Sequence, residues 1–507
     1  MSANGNAAIY FVDRHLAEGR SAKTAFIQGG RSLTYGQLAE QTGRLPDLYA
    51  KIGIVQEDRA AMIVHDVIKF PVIFWGSIKA GVIPVAINTL LTTDQYRYIL
   101  NDSRAKILFI SEAMIEAVQP ILHTLTHLRA VFVVGGENPI GVPFDQALAA
   151  AIAGPMAEVS PGDTAFWLYS SGSTGMPKGV RHVHEALRAT SDTYGAEVLG
   201  IRESDTIFSA AKLFFAYGLG NGMTFPMAVG ATTVLMPGRP TPESVFEQMQ
   251  AHRPSIYCGV PTLFGAMLAH VGDGPVPGVD RLRISISAGE ALPEEIGKRW
   301  TRLTGTHILD GVGSTEMLHI FLSNAPGSVE YGTSGVAVPG YELRLVDTDG
   351  SEVAHDEIGE LLVSGISSSD GYWNQREKNR ATFEGRWTRT GDKYTRRPDG
   401  RYIYCGRTDD MFKVSGQWVS PFEVEQALIA HPSVLEAAVV PALDEERLEK
   451  PKAFVIPSDA SAGIDDEALK EHVKDAVGAH KYPRWIEVVD DLPKTATGKI
   501  QRFKLRA

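Results

Sequence analysis

The run Tyr169-Ser-Ser-Gly-Ser-Thr-Gly-Met-Pro-Lys-Gly-Val180 concentrates groups that hold a polyphosphate. Ser170, Ser171, Ser173 and Thr174 supply hydroxyl donors. Gly172, Gly175 and Gly179 let the backbone approach an anion closely, and Lys178 adds positive charge. The spacing is not that of the G-x-x-x-x-G-K-[ST] loop, and Pro177 precedes the lysine. A flexible Ser/Gly linker shares the composition but lacks a Pro-Lys-Gly ending and flanking strands. A second charged locus lies near the end of the chain. Between residues 478 and 507, seven Lys/Arg face three acids, although the whole chain carries 60 acidic and 49 basic residues and a formal charge of -11. Lys499 stands in this basic stretch, within Pro493-Lys-Thr-Ala-Thr-Gly-Lys499. Taken alone it would read as part of a solvated face.

These residues need a scaffold. The strand-like residues 164–168 precede the Ser/Gly loop. Residues 59–63, 82–86, 106–110 and 130–134 are short apolar runs of the kind that form buried parallel strands, and residues 35–48 have a helical pattern. The alternation continues through strand-like residues 206–208, 232–236, 255–258 and 283–287, which predicts α/β layers with largely parallel sheets. Between about 330 and 405 the texture changes. Strand-like residues 342–346 and 359–363 are accompanied by the turn signals Asp349-Gly350 and Asp399-Gly400, so this portion is expected to be antiparallel, as in a small barrel. A last unit of roughly 100 residues has helical patterns at 421–430 and 465–476 beside apolar strands at 435–440 and 453–456.

Beyond the Ser/Gly loop, four further segments are notable for their order. Asp310-Gly-Val-Gly-Ser-Thr-Glu316, Thr390-Gly-Asp392, Tyr404-Cys-Gly-Arg-Thr-Asp-Asp410 and the Lys499 segment follow it along the chain. The ordered set of five resembles the motifs of the adenylate-forming superfamily, which contains acyl- and aryl-CoA ligases, luciferases and peptide-synthetase adenylation domains. The resemblance implies an α/β fold. A large N-terminal domain, residues 1–406, would have two α/β sheet subdomains and the barrel-like portion at about 330–405. Residues 407–410 would form a hinge, and residues 411–507 a small mobile α+β C-terminal domain.

The same resemblance implies a two-step reaction using ATP, Mg²⁺ and coenzyme A. A carboxylate attacks the α-phosphate to give acyl-AMP and pyrophosphate, and a thiol then displaces AMP. By resemblance, the Ser170–Gly175 hydroxyls and glycines with Lys178 would hold the β- and γ-phosphates. Glu316 would hold Mg²⁺, Thr315 would touch the α-phosphate, and Asp310, Gly311, Val312, Gly313 and Ser314 would form the adenine and magnesium segment. The backbone of Ala288, Gly289 and Glu290 would lie along the adenine. Asp392 would accept both ribose hydroxyls, as a carboxylate's two oxygens allow, with Arg407 reaching the ribose. Asp409 would be the hinge residue. Lys499 would bind carboxylate and α-phosphate during adenylation, and the rotated domain would then bring Lys413, Ser415, Gly416 and Trp418 to the CoA. A lysine acetyltransferase acting on Lys499 would remove the needed charge. No carrier domain follows Lys499, so free CoA is the expected acceptor.

For the acid, Phe214-Phe-Ala-Tyr-Gly-Leu-Gly220 with Met223-Thr-Phe225 resembles the benzoate-CoA ligase group. Ala216, Tyr217, Gly218 and Phe225 would line the pocket, joined by His319 and Ile320 one helical turn beyond Thr315. Flat walls suit a planar ring, so benzoate is the expected substrate. A medium-chain fatty acid, and delivery of the acyl group to a separate carrier protein, are the alternatives.

Composition sets outer limits. Hydrophobic residues make up 44% and charged residues 21%, as in globular proteins. The negative balance argues against nucleic acid as the main partner. Cys258 and Cys405 are too few for a disulfide framework and fit a reduced, cytoplasmic setting. The long apolar stretch from 70 to 87 contains Lys79, Gly81 and Pro84, which predicts a buried helix and strand rather than stable membrane insertion.

Overall fold

Residues whose side chains alternate between two apolar faces build the first sheet. Ala60 and Met62 of strand Arg59–Ile63 pack into one core with Phe109, Phe132 and Phe166, while Ala61 and Ile63 pack into another with Leu108, Ile110 and Trp167. Burial on both faces is why these strands read as continuous apolar runs. The computed structural model describes residues 4–170, 176–414, 417–459, 463–494 and 500–506. In it, this sheet has seven strands in the order Val142–Pro143, Ala130–Val134, Ile107–Ser111, Arg59–Ile63, Ile83–Ala86, Thr164–Ser170 and Lys178–Val183. All ladders are parallel except the last.

The stretch from 70 to 87 is the expected buried helix, Lys69–Lys79, followed by strand Ile83–Ala86. Lys79 pairs there with Asp13. One expectation is corrected. Residues 35–48 form two helices, Tyr35–Gly43 and Leu45–Lys51, separated at Arg44. Pro46 has no N–H to continue the first helix and sits instead in the first turn of the second.

A second sheet of nine strands has a parallel centre made of Ile308–Gly313, Ile284–Ala288, Ile256–Gly259, Thr206–Ser209, Thr232–Val234 and Thr24–Gln28, with antiparallel strands at both edges. Its two faces carry separate cores, one around Ile207, Ile256 and Ile286, the other around Phe208, Tyr257 and Trp300. The portion expected to be antiparallel is a five-stranded antiparallel sheet containing Glu342–Val346, Gly359–Ser364, Trp387–Arg396 and Tyr402–Arg407. Beyond it, helices Pro421–Ile429 and Asp466–Val477 pack with the three-stranded sheet Val434–Leu443, Glu449–Pro457 and Trp485–Val488 around a core of their own. Among the described residues no helix is long and apolar enough to cross a membrane.

Candidate active site

The Ser/Gly loop joins two antiparallel strands, and the ladder sets Ser170 opposite Lys178 at its mouth. Ser171, Gly172, Ser173, Thr174 and Gly175 lie outside the described residues. Ser170 Oγ is buried and makes no hydrogen bond among the described residues. Lys178 Nζ lies 4.3 Å from the centroid of the Tyr372 ring. Burial lowers the lysine pKa, Glu316 opposes that, and Lys378 and Arg407 lower it further. Three cations and one carboxylate therefore influence one another beside the loop, a net positive field of the kind that a polyphosphate would neutralise.

Asp310 and Gly311 are paired with Ser287 and Ala288 in neighbouring strands, which brings the two segments expected at the adenine side by side. Ala288 is buried, whereas Gly289 is exposed and Glu290 half-buried. Burial pushes the Asp310 carboxyl pKa well up, against hydrogen bonds from the Leu292 and Gly311 N–H groups, and Asp310 Oδ1 has no partner among the described residues. Exposure along the motif is banded. Asp310 and Gly311 are buried, Val312 to Glu316 are accessible, and Met317 to Ile320 are buried again.

The chain after Thr315 is not helical, which corrects the expected helical turn leading to His319 and Ile320. Strand Ile308–Gly313 ends and the chain doubles back into strand Ile320–Ser323. Leu318 has φ +65°, its N–H bonds Thr315 O at 3.1 Å, and the His319 N–H bonds Met317 O at 2.8 Å. Such a three-residue turn with positive φ is rare and strained. Two outside donors hold it: Ser369 N–H to Glu316 O at 2.8 Å and Ser367 Oγ to Met317 O at 2.8 Å. Tyr372 Oη donates to Glu316 Oε1 at 2.8 Å, and burial with this carboxylate pushes the phenol pKa up, so the hydroxyl remains a donor.

Asp392 and Arg407 are partners on adjacent strands. Arg407 donates to Asp392 Oδ1 at 2.9 Å and to Thr390 O at 3.1 Å. The Asp392 carboxylate raises the Arg407 pKa against burial. Gly391, at φ +72°, lets the guanidinium lie close, since a Cβ there would stand 3.0 Å from it. Immediately after Arg407 the chain turns sharply. The Asp410 and Met411 N–H groups both bond Arg407 O at 3.0 Å. Asp409 is exposed, and its carbonyl accepts from Arg506 at 2.9 Å. Lys413 is exposed in strand Phe412–Val414 and stands opposite Trp418 of strand Gln417–Val419. The Trp418 side chain, Ser415 and Gly416 lie outside the described residues, as does Lys499. The ends of the Lys499 segment are joined by a bridge between Lys494 and Ile500 and by Gln501 N–H to Pro493 O at 2.7 Å.

At the acyl pocket, the short helix Ala216–Leu219 carries Ala216, Tyr217 and Gly218. Tyr217 Oη donates to Ile286 O at 3.0 Å or to Gly259 O at 3.1 Å, carbonyls of two neighbouring strands. The His319 ring lies 5.8 Å from Tyr217 and 4.5 Å edge-on to Phe225. Gly220 permits this approach, because a Cβ there would come within 2.3 Å of His319 Cδ2. Burial lowers the His319 pKa to about 3. The neutral ring faces Tyr217 O through Nε2 at 3.2 Å, which assigns the proton to Nε2. Nδ1, then an acceptor, is buried without a partner among the described residues. Ile320 is fully buried and packs on the space left by Gly311, as part of the core beneath the site. Sequence reasoning missed Tyr372, Leu292, Ser367 and Ser369. The only signal was Gly371-Tyr-Trp373, which carries no pattern specific to chemistry.

The AMP-binding enzyme family matches residues 13–373, and its C-terminal domain family matches residues 423–499. The chain belongs to the AMP-binding enzyme family. Within this family it is 54% identical over 505 residues to the 4-hydroxybenzoate--CoA/benzoate--CoA ligase of Rhodopseudomonas palustris, covering 99% of this chain and 94% of that protein. A benzoate CoA ligase structure from Burkholderia xenovorans LB400 superposes with a TM-score of 0.91 at 47% identity over 100% of both chains. The anthranilate CoA ligase AuaEII, in complex with anthranoyl-AMP, superposes with a TM-score of 0.94 at 39% identity, over 100% of this chain and 97% of that one.

Proposed function

We propose that this AMP-binding enzyme is an AMP-forming acid–CoA ligase that converts benzoate to its CoA thioester. The observation that favours the acid assignment is the uncharged aromatic cluster in which Tyr217 and Phe225 contact a buried, neutral His319, a setting that suits a planar ring better than a flexible chain. The two ligases of benzoate-type acids reported above support it.

In the first step the carboxylate oxygen attacks the α-phosphate and the bond to pyrophosphate breaks. In the second the CoA sulfur attacks the acyl carbon and AMP leaves. Catalysis here is positioning and charge stabilisation. Ser170, the Ser171–Gly175 loop and Lys178 receive the β- and γ-phosphates. Asp310 and the Ala288–Glu290 backbone receive the adenine, and Asp392 with Arg407 the ribose. Glu316 is a hard oxygen donor suited to Mg²⁺, a cation that such sites usually share with the substrate phosphates. When bound, Mg²⁺ would neutralise charge building on the phosphate oxygens. Thr315 meets the α-phosphate, and Lys499 bridges it to the carboxylate.

The division into residues 1–406, 407–410 and 411–507 belongs to this proposal, and the turn at Arg407 supports a hinge there. Rotation about Asp409 would withdraw Lys499 and present Lys413, Ser415, Gly416 and Trp418 to CoA. Acetylation of Lys499 would silence the first step, and a cytoplasmic setting would supply the nucleotide and CoA. A panel of acids scored by AMP release with ATP and CoA tests the assignment.

A second reading extends the acid to hydroxybenzoate. His319 Nδ1, without a partner among the described residues, is a buried acceptor that a ring hydroxyl would satisfy, and leaving such a group unmatched is costly.

A further inference from the structure

Tyr372 touches both charged groups that face the phosphate space, yet the reaction assigns it no part. Its hydroxyl donates to Glu316 Oε1 at 2.8 Å, and its ring lies under Lys178 Nζ at 4.3 Å. The side chain is buried, and its backbone is held from both sides. The Tyr372 N–H donates to Asn379 Oδ1 at 2.6 Å, and Asn379 Nδ2 donates to Tyr372 O at 2.9 Å. Residues 370–373 also run along the strand that leaves the Ser/Gly loop. The Arg181 N–H bonds Gly371 O at 3.1 Å, the Trp373 N–H bonds Gly179 O at 2.8 Å, and Val180 bridges Tyr372. One residue upstream of this run, the Ser369 N–H bonds Glu316 O.

We propose that Tyr372 is a positioning residue that holds the Glu316 carboxylate by one oxygen, leaving Oε2 for the divalent cation, while its ring fixes the Lys178 ammonium beside the phosphates. This rests on the reading of Glu316 as the magnesium carboxylate. A free glutamate samples many rotamers. One oxygen tied to a phenol on an anchored segment removes most of that freedom before the cation arrives. The aromatic face also holds an ammonium without neutralising it, so its charge remains available to phosphate.

The test is a Mn²⁺ titration of the full-length protein with a β,γ-methylene ATP analogue, read by water-proton relaxation. Tyr372→Phe keeps the ring and loses the hydroxyl. It is expected to weaken Mn²⁺ binding about tenfold, the worth of one hydrogen bond to a charged group, with the KM for benzoate unchanged. Tyr372→Leu also loses the ring and should weaken the analogue itself beyond the Phe variant. Glu316→Ala is the reference. If it weakens Mn²⁺ binding and Tyr372→Phe does not, the positioning role is wrong while the carboxylate reading stands. If Glu316→Ala changes nothing, the carboxylate reading falls and the Tyr372 proposal with it. A Leu variant no worse than Phe would remove the part assigned to the ring.

Discussion

Arg407 donates to Asp392 Oδ1 at 2.9 Å, and the two residues stand directly opposite each other on neighbouring strands at the point where the chain leaves the antiparallel sheet. The carboxylate is thus held in place, and the pair ties the proposed ribose site to the turn proposed as the hinge. Asp392→Ala removes the acceptor for the ribose hydroxyls and leaves Arg407 without this partner. Its KM for ATP in pyrophosphate exchange should rise about 10- to 100-fold, as expected for hydrogen bonds to a charged group, while the KM for benzoate holds. An unchanged KM for ATP would place the ribose elsewhere.

Lys499→Ala should abolish acyl-AMP formation from benzoate and ATP but largely spare thioester formation from preformed benzoyl-AMP. In the proposed mechanism only the first step needs its charge. Rapid-quench measurement of the two half-reactions separates them, and equal loss in both would contradict a lysine that withdraws between steps.

Asp409→Pro fixes φ at the turn after Arg407, where the carbonyl of Asp409 also receives Arg506. Pyrophosphate exchange should survive and CoA thioester formation collapse. Unchanged overall turnover would move the hinge away from this residue.

Stability should rise with pH between about 4.5 and 6.5. Burial lowers the pKa of His15 and His184 to about 4 and of His182 and His319 to about 3, so over this window the unfolded chain binds protons that the folded one does not. Each such histidine contributes ~1.4 kcal/mol per pH unit where that difference is complete. Asp66, raised to about 6 by burial, and Asp310, raised well up, act in the opposite sense. Four groups outweigh two. The urea midpoint of unfolding should therefore climb from pH 4.5 to 6.5, and Asp66→Asn should steepen the climb. A flat or falling profile would contradict these burial effects.

The parallel sheets were legible because strands such as Ile107–Ser111 are buried on both faces, and so read as apolar throughout. The order of the five motifs made the family legible. The turn at Leu318 was not. A leucine at positive φ follows no local preference and is held by Ser367 and Ser369, about 50 residues away in sequence. That turn, and not a helix, brings Glu316 and His319 to their places. Tyr372 was missed for the same reason, since its partners Lys178 and Glu316 are distant in sequence. Ile320, expected at the pocket, is buried, and its side chain fills the space that Gly311 leaves.

If His319 Nδ1 accepts a ring hydroxyl, 4-hydroxybenzoate should be used better than 4-fluorobenzoate or 4-methylbenzoate, and His319→Phe should erase that advantage, at a cost of about 1–3 kcal/mol for the lost hydrogen bond. Equal ratios in the wild type and the variant would exclude Nδ1 as the acceptor.

In the proposed function the acyl pocket selects a planar ring for activation with ATP and transfer to CoA. The direct measurement is kcat/KM for benzoate against hexanoate and octanoate, at matched ATP and CoA, with AMP release and CoA thioester both scored. Benzoate should exceed either linear acid by roughly 10- to 200-fold, the range that pocket shape alone provides, and Tyr217→Ala should shrink that margin. A higher kcat/KM for octanoate, or AMP release without a CoA thioester, would contradict the claim.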